Sequence, residues 1–402
     1  KGKGSVANMI SEVLRTRFKV GLMTSPHIAD FCERIRVNGE QISDADFIRL
    51  VSKDADLIGT IVESAGQDEY VSPMGIQTIL ALDYFAECRT DINVFECGKG
   101  ARSDDVTNVI HQYAVINSIF LEHTRELGDT LEEIAEDKSH VITEDTRVVY
   151  VAEQSPSVMG IIRKRAENLG ARLKIYGRDF EAKNIEYTSK GMRFDVLLRD
   201  TELNEDGLEG EYRLSKIELP LMGEHQTQNA ALAISVVMDI KKENKDNSDI
   251  ADSIKDSLAH INWPGRMEII SSSPFVMLDA CINRSSCQGV IDTIKSIGLE
   301  RVSFVIAIPD DKDYVGVAKM MSPYAERICM TKSTNPHYVF TKNQIRVLSE
   351  NGVNAEWCSD YREAIRIYTE DGSPTVLLGT TSFVADVKGY FVTSITRAAV
   401  EY

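Results

Sequence analysis

The sequence predicts an α/β protein built on parallel sheets and divided into two domains. Short β-branched and apolar runs alternate with helical stretches along the chain, the pattern of strands joined by crossover helices. Its 402 residues exceed what a single hydrophobic core sustains. The alternation also breaks once, at Trp263-Pro264-Gly265-Arg266, and then starts afresh.

At the amino end, Lys1-Gly2-Lys3-Gly4-Ser5 leads into Val6, Met9, Ile10, Val13 and Leu14, whose three- and four-residue spacing makes one helical face. Strand character follows at Lys19–Thr24, Ile92–Cys97 and Val148–Ala152. Residues 191–221 alternate instead, around an Asn204-Glu205-Asp206-Gly207 turn, and predict a small antiparallel insertion. Asn229–Ile240 predicts an apolar helix, and the polar tract 241–249 a solvated loop. Beyond the tryptophan-proline break, Phe275–Asp279, Val302–Ile308 and Thr375–Leu378 predict a second sheet. The expected domains are therefore residues 1–263 and 264–402.

Composition removes several classes of function. With 43% hydrophobic and 27% charged residues the chain can bury sizeable cores, which excludes global disorder. A formal charge of −17 repels phosphate backbones and anionic lipid, so neither nucleic acid nor a membrane surface is an expected partner. No uncharged apolar run reaches the eighteen or so residues of a membrane span. Seven scattered cysteines without C-x-x-C pairs predict reduced thiols and a cytoplasmic location.

The glycine-rich start has a specific chemical meaning. A turn opening a helix exposes backbone N–H groups at the positive end of the helix dipole, which holds phosphate. Lys3 adds a cation and Ser5 a hydroxyl able to ligate a metal ion. The pattern G-x-x-x-x-G-K-[ST] is incomplete, because Gly4 separates Lys3 from Ser5, and a flexible glycine-lysine terminus before a helix reads equally well from this fragment alone. A phosphate loop also follows a strand, so on this reading the natural chain begins before Lys1.

Longer-range motifs decide between the two. Gly2-Lys3-Gly4-Ser5, Thr24-Ser25-Pro26-His27 and Glu33-Arg34-Ile35-Arg36-Val37-Asn38-Gly39 stand in order, followed by Phe95-Glu96-Cys97-Gly98 with Arg102 and Thr107-Asn108-Val109. Then come His123, Leu127-Gly128-Asp129-Thr130, Lys138, Gly223-Glu224-His225-Gln226 with Asn229, Trp263-Pro264-Gly265-Arg266, Leu278-Asp279, Asp311-Lys312-Asp313 and Asn335-Pro336. This series resembles the folylpolyglutamate synthase and dihydrofolate synthase family of the Mur ligase superfamily. The resemblance implies a P-loop NTPase-like parallel-sheet domain with a small antiparallel insertion, a C-terminal Rossmann-like domain, and substrate in the cleft between them.

It also implies an ATP-dependent amide ligase, in which a substrate carboxylate takes the γ-phosphate of ATP and an amino acid, glutamate foremost, displaces it. Its partners would be small molecules: a carboxylate such as dihydropteroate or a folate, and an amino acid. Positioning and charge neutralisation dominate such phosphoryl transfer. By resemblance, Gly2, Lys3, Gly4 and Ser5 would cradle the β- and γ-phosphates, with Ser5, Ser25 and Glu96 ligating a first Mg²⁺. His123 would hold a second Mg²⁺ and Lys138 would be carbamylated. Asn229 and Arg266 would reach the phosphates, and Asp279 the ribose side. His225 reads equally as a buried structural histidine. Lys138 reads also as an unmodified lysine on the charged face of Glu132, Glu133, Glu136 and Asp137.

Some residues depart from the family. Asp279-Ala280-Cys281-Ile282-Asn283-Arg284 stands where Asp-Gly-Ala-His-Asn-Pro is usual, and apolar Ile282 cannot hydrogen-bond. Gly98-Lys99-Gly100-Ala101-Arg102 replaces Gly-Leu-Gly-Gly-Arg, Ser139-His140 follow Lys138 in place of small residues, and Ser72–Thr78 lacks an aromatic and acidic cluster. These changes leave open a ligase for a non-folate acid, a non-catalytic ATP-binding paralogue, and, more remotely, a small-molecule kinase.

Overall fold

The computed structural model describes residues 2–66, 71–200, 210–244 and 250–400. Within it the chain forms two compact units, the first made of residues 1–184, 194–217 and 226–258, the second of 185–193, 218–225 and 259–402.

The first unit opens with α1 (Lys3–Leu14), then β1 (Val20–Met23), β2 (Ile35–Val37) and β3 (Glu40–Gln41). Helices α2 (Asp44–Lys53), α3 (Ala55–Ser64) and α4 (Pro73–Cys88) lead to β4 (Ile92–Phe95). The four strands form a sheet in the order β3-β2-β1-β4, with β1 and β4 parallel and Met23 opposite Phe95. Next come β5 (Tyr113–Ile116), α5 (Thr124–Leu127), α6 (Leu131–Ser139), β6 (Val148–Val151), α7 (Pro156–Leu169) and β7 (Arg172–Ile175). Here the sheet is parallel, in the order β5-β6-β7. β1 and β6 are buried at every residue, as strands covered on both faces require. Local chemistry starts the helices: Ser72 and Ser155 cap α4 and α7 ahead of a first-turn proline, and Thr130 with Glu133 closes a capping box on α6.

Strands β8 (Phe180–Thr188), β9 (Gly191–Asp200) and β10 (Gly210–Leu219) form a sheet in the order β10-β9-β8. Two residues join β8 to β9, which makes them antiparallel neighbours. The insertion thus begins eleven residues or so earlier than alternation indicates, because Lys183-Asn184-Ile185-Glu186 carries too few apolar residues to show the period. The expected Asn204–Gly207 turn lies outside the described residues. Helix α8 (Glu224–Glu243) runs three residues into the tract expected to be loop; Lys241 is buried there, and 245–249 lie outside the described residues.

After α9 (Ala251–Ala259), the second unit contains β11 (Glu268–Ser272), β12 (Phe275–Asp279), α10 (Arg284–Ser296), β13 (Val302–Ala307), α11 (Tyr314–Met321), β14 (Ala325–Met330), α12 (Asn343–Glu350), β15 (Glu356–Trp357), α13 (Tyr361–Glu370), β16 (Thr375–Gly379) and α14 (Thr381–Val400). Its six strands follow the order β11-β12-β16-β13-β14-β15, parallel throughout except for the β11/β12 hairpin. β13 and β16 are wholly buried at its centre. Reversal of strand order around that centre is the doubly wound arrangement. Among the described residues, no helix is long and apolar enough to cross a membrane, and all seven cysteines are free.

Candidate active site

The candidate residues of the first unit gather at the carboxyl ends of its strands. Because β1 and β4 are parallel and in register, the residues that follow them emerge side by side. Glu96, 7% exposed, therefore meets the Thr24–Ser25 turn, and its Oε2 accepts the Ser25 backbone N–H at 3.0 Å. Arg34 braces that turn: its Nε donates to His27 Nδ1 at 2.8 Å and its Nη1 to Gln77 Oε1 at 2.8 Å, while Gln77 Nε2 donates to Thr24 O at 3.3 Å.

α1 begins sooner than a Gly2–Ser5 loop implies, since Lys3, Gly4 and Ser5 already form its first turn and Gly2 alone caps it. Gly2 adopts φ 82°, the left-handed region open to glycine. A Cβ there would lie 2.8 Å from both Asn229 side-chain polar atoms and 2.9 Å from Asn117 Nδ2. Asn229 is fixed in turn, its Oδ1 accepting Asn117 Nδ2 at 2.9 Å and its Nδ2 donating to Gln226 Oε1 at 3.0 Å. Ser5 is 2% exposed, and its Oγ has no hydrogen-bond partner. A buried hydroxyl without a partner costs about 1–3 kcal/mol. At the start of a helix, such an oxygen suits a hard cation or a phosphate.

Lys3, Glu96, Glu122 and Lys138 line one cavity. Lys138 Nζ donates to Lys99 O at 2.8 Å and pairs with Glu122 Oε1 at 3.3 Å. Desolvation holds the Lys138 ammonium below the usual lysine range, opposed by Glu122 and assisted by Lys3. His123 adopts φ 53° at the start of α5; partial desolvation, with Lys138 and Lys99 nearby, holds its imidazole below its ordinary value against Glu122 and Glu126. Burial pushes the Cys97 thiol up to about 12, so it stays protonated and is no nucleophile at neutral pH.

Several motif residues set geometry. Glu133 Oε2 accepts the N–H groups of Asp129 at 2.8 Å and Thr130 at 3.1 Å, fixing the start of α6 two turns before Lys138. Asp137 Oδ1 accepts Ala101 N–H at 2.9 Å, and a Cβ at Gly100 would fall 2.3 Å from that oxygen. Ala101 is buried, and a side chain at Gly100 would have to displace the Asp137 carboxylate and the Leu127 side chain.

In the second unit, Arg266 sits on a tightly held turn. Gly265 and Met267 have φ of 66° and 55°. Glu268 Oε2 accepts Gly265 N–H at 2.9 Å, Ala280 N–H donates to Gly265 O at 2.9 Å, and Asp279 Oδ2 accepts Met267 N–H at 2.9 Å. Lys388 pairs with the other Glu268 oxygen. Asp279, 8% exposed, therefore supports the arginine turn, a function that resemblance did not indicate. His225 is exposed rather than buried, its ring lying against Gly223 and Gly289. Sequence reasoning also missed Asn117 and Glu122; Glu122 adjoins His123, a signal that could have found it, whereas Asn117 stands in no motif.

Residues 1–237 match the Mur ligase middle domain family. The dihydrofolate synthase/folylpolyglutamate synthase of Bacillus subtilis is 32% identical over 396 residues, covering 96% of this chain and 87% of the relative. The crystal structure of a folylpolyglutamate synthase from Thermotoga maritima superposes with a TM-score of 0.82 at 26% identity, covering 98% of this chain and 87% of that one. A folylpolyglutamate synthase solved as an AMPPCP–folate complex gives 0.78 at 26% identity, over 96% of this chain and 87% of that one.

Proposed function

The chain belongs to the folylpolyglutamate synthase/dihydrofolate synthase family of Mur ligases, and from that premise we propose that it joins glutamate to the carboxylate of a folate or of dihydropteroate, using ATP and passing through an acyl phosphate. It is an ATP-dependent carboxylate–amine ligase. One observation carries the residue-level reading: the buried, unpartnered Ser5 hydroxyl at the start of α1, in a unit that sets Lys3 and Glu96 on one cavity.

In this reading the N–H groups of the first turn of α1 and the Lys3 ammonium hold the β- and γ-phosphates. Ser5, Ser25 and Glu96 would hold one Mg²⁺ and His123 a second, which would supply positive charge to neutralise the transferring phosphoryl group. Asn229 reaches the phosphates from α8. Lys138, its ammonium destabilised by desolvation, supplies the neutral amine that carbon dioxide requires, and its carbamate would be an anionic partner for metal and substrate. Arg266 presents a planar fork to phosphate, and Asp279 holds the turn that carries it. Carbon dioxide uptake is readable directly: native mass spectrometry in bicarbonate is expected to show one added carbon dioxide, absent from Lys138→Ala.

Incubation with ATP, glutamate and either dihydropteroate or tetrahydrofolate is expected to release inorganic phosphate in a glutamate-dependent manner with at least one pterin. Silence with both would remove the folate assignment and favour a non-folate acid. That second reading is supported by Ile282, an apolar residue where the family motif has a hydrogen-bonding histidine.

Glu268 is expected to act through Arg266. Glu268→Ala leaves the Gly265 N–H without its acceptor and lowers kcat/KM for ATP about tenfold, the scale of one lost positioning interaction. The same change made in an Arg266→Ala background should add little. Full additivity of the two effects would show that Glu268 merely stabilises the unit.

A further inference from the structure

Two thiols that the ligase chemistry does not use lie in contact within the second unit. Cys281 follows β12 and Cys287 is the fourth residue of α10; both are fully buried, and their sulfurs are 3.6 Å apart. Cys281 stands where the family motif has alanine, so the pair belongs to the same departure that brings Ile282 and Arg284. Asn283 shapes the corner between them. Its side chain caps α10 by accepting the Ser286 N–H at 3.0 Å, and its backbone oxygen accepts the Cys287 N–H at 3.3 Å and the Cys281 thiol at 3.7 Å.

The residues just ahead of Cys281 connect it to the arginine turn. Ala280 N–H donates to Gly265 O and Asp279 accepts Met267 N–H, so the turn is held on both sides of Arg266. A bond between the two sulfurs would draw them from 3.6 Å to about 2.0 Å. α10 is anchored by its buried face of Val290, Ile291 and Ile294, whereas Cys281 lies on the four-residue connection between β12 and α10. The movement therefore falls on Cys281 and passes to Ala280 and Asp279. Burial and the Cys287 contact hold the Cys281 thiol well above its ordinary range, so the closed pair stays protonated and unreactive. Asn283 and Arg284 at the corner are exposed, and a local opening there admits a small reagent without unfolding the sheet.

We propose that Cys281 and Cys287 are a redox modification site: they close into an intramolecular disulfide by exchange with a low-molecular-weight disulfide such as glutathione disulfide, and closure loosens the turn that carries Arg266. One protein thiolate attacks the small disulfide and expels one small thiolate, leaving a mixed disulfide. The second protein thiolate attacks the protein sulfur of that bond and expels the other. The dithiol gives up two electrons and two protons, and the two expelled thiolates take them up as thiols. A reduced thiol pair reverses the step, so the site responds to the ratio of small thiol to small disulfide.

The folded chain, without nucleotide, is incubated with glutathione disulfide and digested with trypsin under non-reducing conditions. Trypsin cuts after Arg284, so closure is expected to join two peptides through Cys281 and Cys287, and dithiothreitol to separate them. Amide exchange at Met267 and Ala280 should rise at least tenfold in the oxidised chain, with β13 and β16 unchanged. Cys281→Ala should form no crosslink and keep the slow exchange under both conditions. Recovery of both cysteines as free thiols, a glutathione adduct that never closes, or a crosslink that appears only in denaturant would overturn the proposal. So would a crosslink that leaves Met267 and Ala280 exchange unaltered. An accompanying rise of about tenfold in KM for ATP rests on the ligase reading. A crosslinked, faster-exchanging chain with unchanged KM would keep the redox site and remove Arg266 from nucleotide binding.

Discussion

Lys3→Ala is expected to lower kcat by about 10²–10³-fold, the cost of removing one preorganised charge from a transferring phosphoryl group. The fold should survive, because Lys3 is partly exposed at the first turn of α1 and the buried face of that helix is Val6, Met9, Ile10, Val13 and Leu14. Its influence extends to Lys138, whose ammonium it helps to destabilise. Removing Lys3 therefore raises the Lys138 pKa toward its ordinary value and reduces the neutral amine at a given pH. The variant should accordingly need more bicarbonate, or a higher pH, to reach its own maximal rate. Lys3→Arg keeps the charge while changing its shape and reach, and should recover part of the loss without restoring the wild-type rate. A Lys3→Ala enzyme with unaltered kcat, verified folded by circular dichroism, would remove the amino-terminal turn from the active site.

The fold was readable where burial on both faces leaves an unbroken apolar run. Val148-Val149-Tyr150-Val151 and Phe304-Val305-Ile306-Ala307 lie at sheet centres and look like strands in any register. β3 and β15 have two residues each, too few to show a period, and Lys174 and Arg172 interrupt β7. Tyr113–Ile116 is apolar but follows His111-Gln112 without a turn signal, so its existence depends on pairing with β6, 35 residues on. The site divides in the same way. Ser5, Glu96 and Lys138 stand out in the sequence because they sit within ordered motifs, and the structure lines one cavity with Glu96 and Lys138 and leaves the Ser5 hydroxyl buried without a partner. Asn117 acquires meaning only through a partner 112 residues away, and Asp279 through a backbone N–H on the arginine turn. Such pairings belong to tertiary structure and leave no local trace.

Gly2→Ala carries the second large expectation, and it separates two physical causes. The φ of 82° penalises any Cβ by roughly 1–2 kcal/mol. The methyl would also occupy the space of the Asn229 amide, which Asn117 and Gln226 hold in place, so Asn229 must leave its position. With Asn229 in its proposed role on the phosphates, losing its hydrogen bond to a charged oxygen would cost about 1.5–3 kcal/mol more. Together these lower kcat/KM for ATP by about 10²-fold or more. Asn229→Ala alone should show only the second cost. Combining the two changes opens the space again, so the double variant should lie about tenfold below Asn229→Ala, well short of the product of the single effects. A product that held would mean Gly2 acts through backbone conformation alone, and Asn229 would then contribute to nucleotide binding independently of the turn it touches.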